Sequence, residues 1–321
     1  MAMLIDGKWD PDAKGTTAPD GSFVRAISPF RKEISPPGEG EFPAEPNRYN
    51  LVVSYACPWA HRTLIYRALL NLEDIIDLSI VHPISYPNGW TFEKYESVSN
   101  NTGLKFYYLR ELYLHQDPNF TGKVTVPALW DKKAKKIVNN ESSEIIRMLD
   151  GPFSVLKGNK PNQMTSLYPM SEIEKMNDFT YKGINNCVYR VGFAASQSAY
   201  QESVDQLFST LDSIEQILER KKFLLGDEPC EADWRLLPTL IRFDTVYYYH
   251  FKCNLRKLSS YTNISNYLDN LSKIKKVAEI IKLVKENKGI DNCLRNLLTI
   301  IIPRHIERTN EIEDNLINLQ Y

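Results

Sequence analysis

A strand that runs directly into a helix is the feature that most limits how this chain can fold. The run NLVVSYA has the composition of a β-strand, and CPWAHRTLIYRALLNLE follows it without a break. In the second run, apolar residues recur at helical spacing, at Leu64, Ile65, Ala68, Leu69 and Leu72. The junction between the two elements is Cys57-Pro58, and Pro is favoured at the first position of a helix because its missing N–H is not needed there.

The elements that follow continue a recognisable order. LSIVHPI predicts a second strand, and VTVPALWD and KKIVNN predict two more strands with a turn near Asp131 to Lys135. ESSEIIRMLDGP predicts a helix that ends at Gly151 and Pro152. The order β-α-β, then β-β-α, is that of a thioredoxin-like domain, which we place at residues 49–157.

The rest of the chain has helical periodicity. Residues 198–221 carry a continuous apolar stripe that predicts a long amphipathic helix. ADWRLLPTLIRFDTVYYYHF is apolar on all sides, which predicts a buried helix bent at Pro238. We therefore expect an α/β domain followed by an all-helical domain at residues 165–321, whose last fifteen or so residues fray. Residues 1–48, rich in Pro and Gly, are predicted to be an arm that packs on this core.

Composition excludes several classes of function. The 321 residues include 39 basic and 40 acidic side chains, so no field of one sign exists to bind nucleic acid or an anionic membrane. No apolar run approaches the length of a membrane span and no targeting segment is recognisable, so we expect a cytoplasmic protein. The five cysteines and five histidines are scattered, which argues against a disulfide scaffold and against a metal site.

Cys57 is the candidate nucleophile. A thiol at a helix N-terminus faces free N–H groups and the positive end of the helix dipole, which predicts a lowered pKa. The alternative is a buried structural cysteine. The residue three positions later is Ala60, so no CxxC partner resolves a disulfide at Cys57, and a thiol from solution must do so.

Two later segments could bind such a thiol. In VTVPALW, Pro127 predicts a turn, with a possible cis Val126-Pro127 bond, that would let glutathione pair with Val126 as an added strand. In NNESSE, Ser142 and backbone N–H groups could bind a carboxylate, and Glu141 an ammonium group. The alternatives are an ordinary edge-strand proline and an ordinary helix cap.

Nine segments in order resemble glutathionyl-hydroquinone reductases, the Xi class of glutathione transferases. They lie between about residues 5 and 270 and read FVR, EFPAEPNRY, CPWAHRTLI, NGWTF, VTVPALW, NNESSEIIRM, NNCVYRVGFAASQSAY, EADWRLLPTLIRFD and VYYYHFKC. The resemblance implies a homodimer and a cleft between the two domains for glutathione and an aromatic group. It implies no metal cofactor, glutathione acting as cosubstrate.

The resemblance also assigns roles. Cys57 matches the nucleophile, Tyr189 the proton donor, and Tyr247 a tyrosine that helps keep the cysteine ionised; without the family both tyrosines would be interpreted as core aromatics. The implied glutathione contacts are Trp90, Lys123, Val124, Thr125, Val126, Glu141 and Ser142. Lys123 stands where many relatives have Arg, which keeps the charge without the bidentate geometry.

The implied reaction is reduction of a glutathionyl-hydroquinone. The Cys57 thiolate attacks the sulfur of the conjugate, Tyr189 protonates the aromatic carbon, and a second glutathione releases Cys57 from its mixed disulfide. The sequence does not identify the aromatic substrate, nor whether the thiol is glutathione or an analogue.

The sequence departs from the family in two places. Cys230 replaces the usual Ser or Thr cap before Asp233, for which we expect a small loss of stability. After residue 280 the family's C-terminal segment and its second cysteine-activating tyrosine are not recognisable; KLVKENKGIDNCLRNLLTIIIPRHIERTN contains no tyrosine. This change affects the expected acidity of Cys57, the wall of the aromatic pocket and the dimer contacts.

Two alternative functions stay open at this point. One is an omega-like thioltransferase or dehydroascorbate reductase, which would use the same Cys-Pro start. The other is a non-catalytic binding protein whose altered tail has closed the site. NGWTF and NNCVYR favour the hydroquinone reductase.

Overall fold

The computed structural model describes residues 2–13, 17–85, 87–164 and 167–298. The strands are β1 (Met3–Ile5), β2 (Lys8–Asp10), β3 (Tyr49–Val53), β4 (Asp77–Ile80), β5 (Ala128–Asp131) and β6 (Lys136–Asn139). The helices are α1 (Pro58–Leu69), α2 (Arg110–Gln116), α3 (Ser142–Met148), α4 (Met170–Thr180), α5 (Cys187–Gly192), α6 (Gln197–Arg220), α7 (Glu231–Arg242), α8 (Tyr248–His250), α9 (Thr262–Ser272), α10 (Lys275–Glu286) and α11 (Gly289–Leu298).

The central sheet of the first domain has the strand order β4-β3-β5-β6. β3 pairs in parallel with β4 and antiparallel with β5, and β5 pairs antiparallel with β6. All five residues of β3 are buried, which explains why Leu51, Val52 and Val53 follow one another without a polar residue between them. The predicted thioredoxin-like arrangement is confirmed, including the turn before β6, where Lys135 has a φ of 53°.

The helical domain is built around α6 and α7. The apolar stripe predicted at residues 198–221 is the buried face of α6. α7 is almost entirely buried, contains Pro238, and continues into a π-helical turn, Phe243–Tyr247. The predicted helices are confirmed, while a bend at Pro238 stays a prediction. In the described ranges, no helix has the length and apolar character needed to cross a membrane.

Glu231 connects the two domains. Its buried carboxylate accepts hydrogen bonds from Arg147 of α3, from Asn177 of α4 and from Arg235 one turn later on α7. Cys230, at the start of α7, donates its backbone N–H to Asp233 at 2.8 Å, so the acidic half of the predicted capping box is present.

The N-terminal arm lies along both domains. Leu4 pairs with Gly122 of the first domain through reciprocal backbone hydrogen bonds of 2.9 Å. Further along, the Ala195 N–H donates to Gly21 at 2.8 Å, and Ser196, the N-cap of α6, donates its hydroxyl to Asp20 at 2.6 Å. The arm is therefore fixed at both domains, and the residues that follow Gly21, from Phe23 to Arg31, line the cleft.

The divergent tail forms two helices that return to the first domain. α10 packs on α1, and α11 packs on the π-helical turn after α7. The predicted fraying of the last fifteen or so residues falls on residues 299–321, outside the described residues.

Candidate functional site

Cys57 lies at the junction predicted from the sequence. It is the N-cap of α1, with an extended backbone (φ −87°, ψ 119°), and Pro58 occupies the first helical position. The backbone N–H groups of Trp59 and Ala60 face the sulfur and favour its anionic form. The thiol donates to the carbonyl of Val126 at 3.3 Å, so the nucleophile lies against the strand end proposed to bind glutathione.

The predicted lowering of the pKa of Cys57 is wrong. Burial raises the pKa of the thiol above its ordinary value. The N–H groups of Ala60 and Trp59 and the guanidinium groups of Arg242 and Arg25 act in the opposite direction without overcoming that effect. The groups that stabilise the thiolate are thus in place, but the covered site keeps most of the sulfur protonated at rest.

Val126 and the start of α3 form the second wall of the site. The Val126-Pro127 bond is cis, as the sequence suggested, and β5 begins only at Ala128, so Val126 lies before the ladder. Glu141 is the N-cap of α3 and accepts from the backbone N–H of Ser143 at 3.2 Å, which matches the helix-cap interpretation. Its other oxygen accepts from the Ser28 hydroxyl of the arm at 3.0 Å.

Lys123 is a half-buried cation that lines the site. Burial, together with the nearby charge of Arg25, lowers the pKa of Lys123 to about 8. Its ammonium lies 5.9 Å from the ring centre of Phe23 of the arm. This lysine is therefore protonated in neutral solution but titrates just above it.

Tyr189 of α5 faces Cys57 from the helical domain, with its ring 6.1 Å from that of Trp59. Burial and the neighbouring thiol groups raise the pKa of Tyr189 to about 12, so it is a protonated phenol at neutral pH. Tyr247 lies behind it, 6.0 Å from ring to ring, and stacks on Phe251 at 5.6 Å. Tyr247 is fully buried, so its direct contact is with Tyr189.

The tail brings a second thiol to this cluster. Cys293 of α11 is buried, and burial raises its pKa to about 11. Its electrostatic neighbours include Cys57 and Arg242, and Arg242 donates to the carbonyl of Tyr55 at 3.0 Å. One turn earlier on α11, Gly289 packs so closely on Tyr55 that an added Cβ would lie 2.6 Å from that carbonyl oxygen. The region without recognisable family sequence thus covers the back of the site.

These walls enclose a cavity of about 740 Å³ between the arm and the two domains. Eight of the ten residues that the resemblance selected line this cavity: Cys57, Trp90, Lys123, Thr125, Val126, Glu141, Ser142 and Tyr189. Val124 and Tyr247 are buried beside it and do not line it. Aromatic side chains cover one end, namely Phe23, Trp59, Tyr181, Tyr189 and Phe193.

Sequence reasoning missed four charged or reactive groups of the site. Arg25 and Arg62 line the cavity, and Arg242 and Cys293 lie behind Cys57. Arg25, Arg62 and Arg242 each lie in a resembling segment, FVR, CPWAHRTLI and EADWRLLPTLIRFD, but the resemblance assigned them no role. Cys293 lies in the divergent tail, and nothing local in the sequence distinguishes any of the four as a site residue.

No cluster of His, Cys, Asp or Glu in the described part of the chain has the arrangement of a metal site. All five cysteines, which fall within those residues, are free thiols.

Comparison with known proteins agrees with the geometry. Residues 56–151 match the family model described as glutathione S-transferase, N-terminal domain, and residues 197–270 match glutathione S-transferase, C-terminal domain. Glutathionyl-hydroquinone reductase YqjG of Escherichia coli (strain K12) is 44% identical over 290 residues, covering 88% of this chain and 88% of the relative. Its glutathione-bound structure superposes with a TM-score of 0.80 at 40% identity, over 94% of this chain and 92% of that one.

Two further relatives extend the comparison. Glutathione S-transferase omega-like 2 of Schizosaccharomyces pombe (strain 972 / ATCC 24843) is 46% identical over 261 residues, covering 78% of this chain and 82% of the relative. The crystal structure of glutathione S-transferase Xi from Phanerochaete chrysosporium matches with a TM-score of 0.80 at 39% identity, over 93% of this chain and 96% of that one.

Proposed function

Because the chain belongs to the glutathionyl-hydroquinone reductases, the Xi class of glutathione transferases, we propose that it reduces glutathionyl-hydroquinones with glutathione. The observation that carries the proposal is that one cavity contains a nucleophilic thiol, a protonated phenol opposite it, and the residues that would bind glutathione. The products are a hydroquinone and oxidised glutathione.

The first half of the reaction uses Cys57 and Tyr189. The Cys57 thiolate attacks the sulfur of the bound conjugate, a new sulfur–sulfur bond forms, and the carbon–sulfur bond breaks with its electron pair on the aromatic carbon. Tyr189 donates its proton to that carbon, so the ring leaves as a hydroquinone. Carbon is reduced, the two sulfurs are oxidised, and Cys57 remains as a mixed disulfide with glutathione.

The second half consumes free glutathione. Its thiolate attacks the glutathione sulfur of the mixed disulfide, which releases oxidised glutathione and restores the Cys57 thiolate, and its proton returns to Tyr189 through water. Glu141 would bind the ammonium group of glutathione, and Ser142 and Lys123 its carboxylates. These binding roles rest on the resemblance and on the position of the side chains in the cavity.

Turnover of glutathionyl-menadiol with excess glutathione tests the proposal. We expect activity in the native protein, none in Cys57→Ala, and a loss of about 10²- to 10⁴-fold in kcat for Tyr189→Phe, the range for removing a general acid. Native protein that reduces dehydroascorbate or mixed disulfides but leaves the conjugate intact would support the omega-like function instead. Inactivity in all these assays would leave a binding protein.

The omega-like name of the fission-yeast relative keeps the thioltransferase as the second candidate. Tyr189 argues for the first, because a mixed disulfide releases a sulfur anion and needs no proton delivered to carbon. A homodimer stays a prediction.

A further inference from the structure

Arg25 places a positive charge at the two groups that react. Its guanidinium carbon lies 4.6 Å from the ring centre of Tyr189 and 4.7 Å from that of Trp59, two residues after Cys57. The charge of Arg25 also favours the Cys57 thiolate. On another side of the guanidinium lies the ring of Phe23, whose centre is 5.7 Å from the guanidinium carbon. The guanidinium is thus enclosed by aromatic rings at the inner end of the arm.

The position of Arg25 is fixed by hydrogen bonds to the helical domain. Its Nε donates at 2.6 Å to the side chain of Asn186, which is the N-cap of α5, the helix that carries Tyr189. The backbone of Asn186 in turn accepts from the Tyr189 N–H at 3.1 Å. Together with the hydrogen bond from Ala195 to Gly21, these contacts hold the Arg25 guanidinium in a fixed position relative to the Tyr189 ring.

The charge of Arg25 has no carboxylate partner among the described residues, and its Nη2 is buried without a hydrogen bond there. The titratable or charged groups around it and around Tyr189 include Cys57, Cys293, Tyr247, Lys123 and Arg242. Arg62 is a further cation nearby, 4.6 Å from the ring centre of Trp59. Of these cations, Arg242 donates to the carbonyl of Tyr55 and Arg62 to that of Arg235. Lys123 lies near Arg25, with both beside the ring of Phe23. Arg25 is half-buried, and a partly desolvated cation without a counter-ion is disfavoured unless an anion appears during function.

Such an anion appears on Tyr189. Given the proposed function, on which this inference rests, Tyr189 becomes a phenolate when its proton goes to the aromatic carbon. We propose that Arg25 is a positioning residue that orients Tyr189 and stabilises the phenolate it forms when it donates its proton. The arm is then part of the acid machinery of the site rather than a covering segment.

A direct test reads the ionisation of position 189 without turnover. 3,5-Difluorotyrosine is inserted in place of Tyr189, and its ¹⁹F signal is followed with pH in the otherwise native protein and in Arg25→Lys, Arg25→Met and Lys32→Met. Removing the cation should raise the titration midpoint by about one pH unit in Arg25→Met. Arg25→Lys should raise it less, and Lys32→Met, an exposed cation of the same arm paired with Glu41 at 3.4 Å, should not change it.

A kinetic cycle tests the same coupling. Arg25→Met should lower kcat for glutathionyl-menadiol about tenfold, a loss matching a partly buried cation–π contact, while KM changes less. In a Tyr189→Phe background, Arg25→Met should lower kcat by less than about threefold, since no phenolate forms at position 189.

Either of two results overturns the proposal: the same ¹⁹F midpoint in Arg25→Met and Lys32→Met, or equal losses of kcat in both backgrounds. Arg25→Lys keeps the test valid if Arg25→Met does not fold. A native protein without turnover would disprove the proposed function, and the ¹⁹F titration would still decide whether Arg25 acts on Tyr189.

Discussion

At the scale of the residue, the reactivity of Cys57 depends on two opposed effects. Helix N–H groups and two guanidiniums favour the thiolate, and burial opposes it. From the sequence only the first effect could be predicted, because the start of a helix is visible in the local sequence. The burial of the sulfur comes from the arm, α5 and α11, which are distant in sequence. The amount of thiolate at rest is therefore a tertiary property.

The first prediction concerns the pH dependence of Cys57. Because the pKa of Cys57 is raised, its thiolate fraction is still increasing at pH values where an ordinary thiol is already fully ionised. The alkylation rate of Cys57 by iodoacetamide should thus still climb above about pH 10.5, where that of an unperturbed cysteine with a pKa of about 8.5 has levelled off. Peptide mapping by mass spectrometry measures this rate, with glutathione in the same tube as the control; a plateau below that of glutathione would contradict the prediction.

The second prediction concerns Lys123. With a pKa of about 8, its ammonium is charged below that pH and neutral above it, so the affinity for a carboxylate should fall as pH rises through 8. Calorimetric titration with S-methylglutathione, which lacks a free thiol, should show weaker binding at pH 9 than at pH 7, by about three- to tenfold.

Lys123→Arg is the matched control for that prediction. Its guanidinium stays charged throughout, so the decrease in affinity between these pH values should disappear. An equal decrease in the native protein and in Lys123→Arg would show that another group, such as the ligand's own ammonium, is responsible.

At the scale of the element, the contact between α3 and α7 depends on one buried carboxylate. Glu231 is fully buried, and it pairs with Arg147 at 2.9 Å and with Arg235 at 3.1 Å. Glu231→Ala leaves these cations without a buried partner and should lower the free energy of unfolding by about 3–5 kcal/mol.

Urea denaturation measures this loss, and Glu174→Ala is its control. Glu174 pairs with the same Arg147 at 2.8 Å, but half of its side chain is exposed, so its removal should cost less than about 1 kcal/mol. Similar losses in the two variants would show that burial does not determine the strength of this network.

A fourth prediction concerns α11. Gly289→Ala places a Cβ 2.6 Å from the carbonyl oxygen of Tyr55, a backbone atom that cannot move aside, so α11 must shift away from the Cys57 loop. We expect a destabilisation of about 1–3 kcal/mol and faster alkylation of Cys57, because the back of the site opens. Glu286→Ala, on the exposed side of α10, should change neither; unchanged alkylation in Gly289→Ala would show that α11 does not cover Cys57.

The elements themselves could largely be predicted from the sequence. The strand into Cys57, the turn before β6 and the whole of α6 follow from local periodicity, because their burial is uniform along one face or along the whole element. The placement of Arg242 and Cys293 could not, since each is separated by well over a hundred residues from the cysteine it faces. In the tail the sequence predicted an all-helical domain but gave no indication of what α10 and α11 cover.

At the scale of the whole molecule, three parts of the chain form one cleft. The arm contributes Arg25 and Ser28, the first domain Cys57 and Glu141, and the helical domain Tyr189. A ligand that fills the cleft therefore contacts the arm and both domains. Its binding free energy then stabilises the arrangement of these three parts relative to one another.

The last prediction follows from that sharing. Anything that binds the folded state alone stabilises it, by about 2.7 kcal/mol at a ligand concentration of 100 times Kd. S-methylglutathione should accordingly raise the melting temperature, and it should slow amide hydrogen exchange in residues 21–29 of the arm, because Ser28 bonds directly to Glu141, the proposed contact of the ligand's ammonium group. Ser28→Ala removes this bond and leaves Glu141, so it should preserve most of the thermal stabilisation while reducing the added protection of the arm. Protection confined to residues 49–157 in the native protein would mean that the arm is not coupled to the ligand.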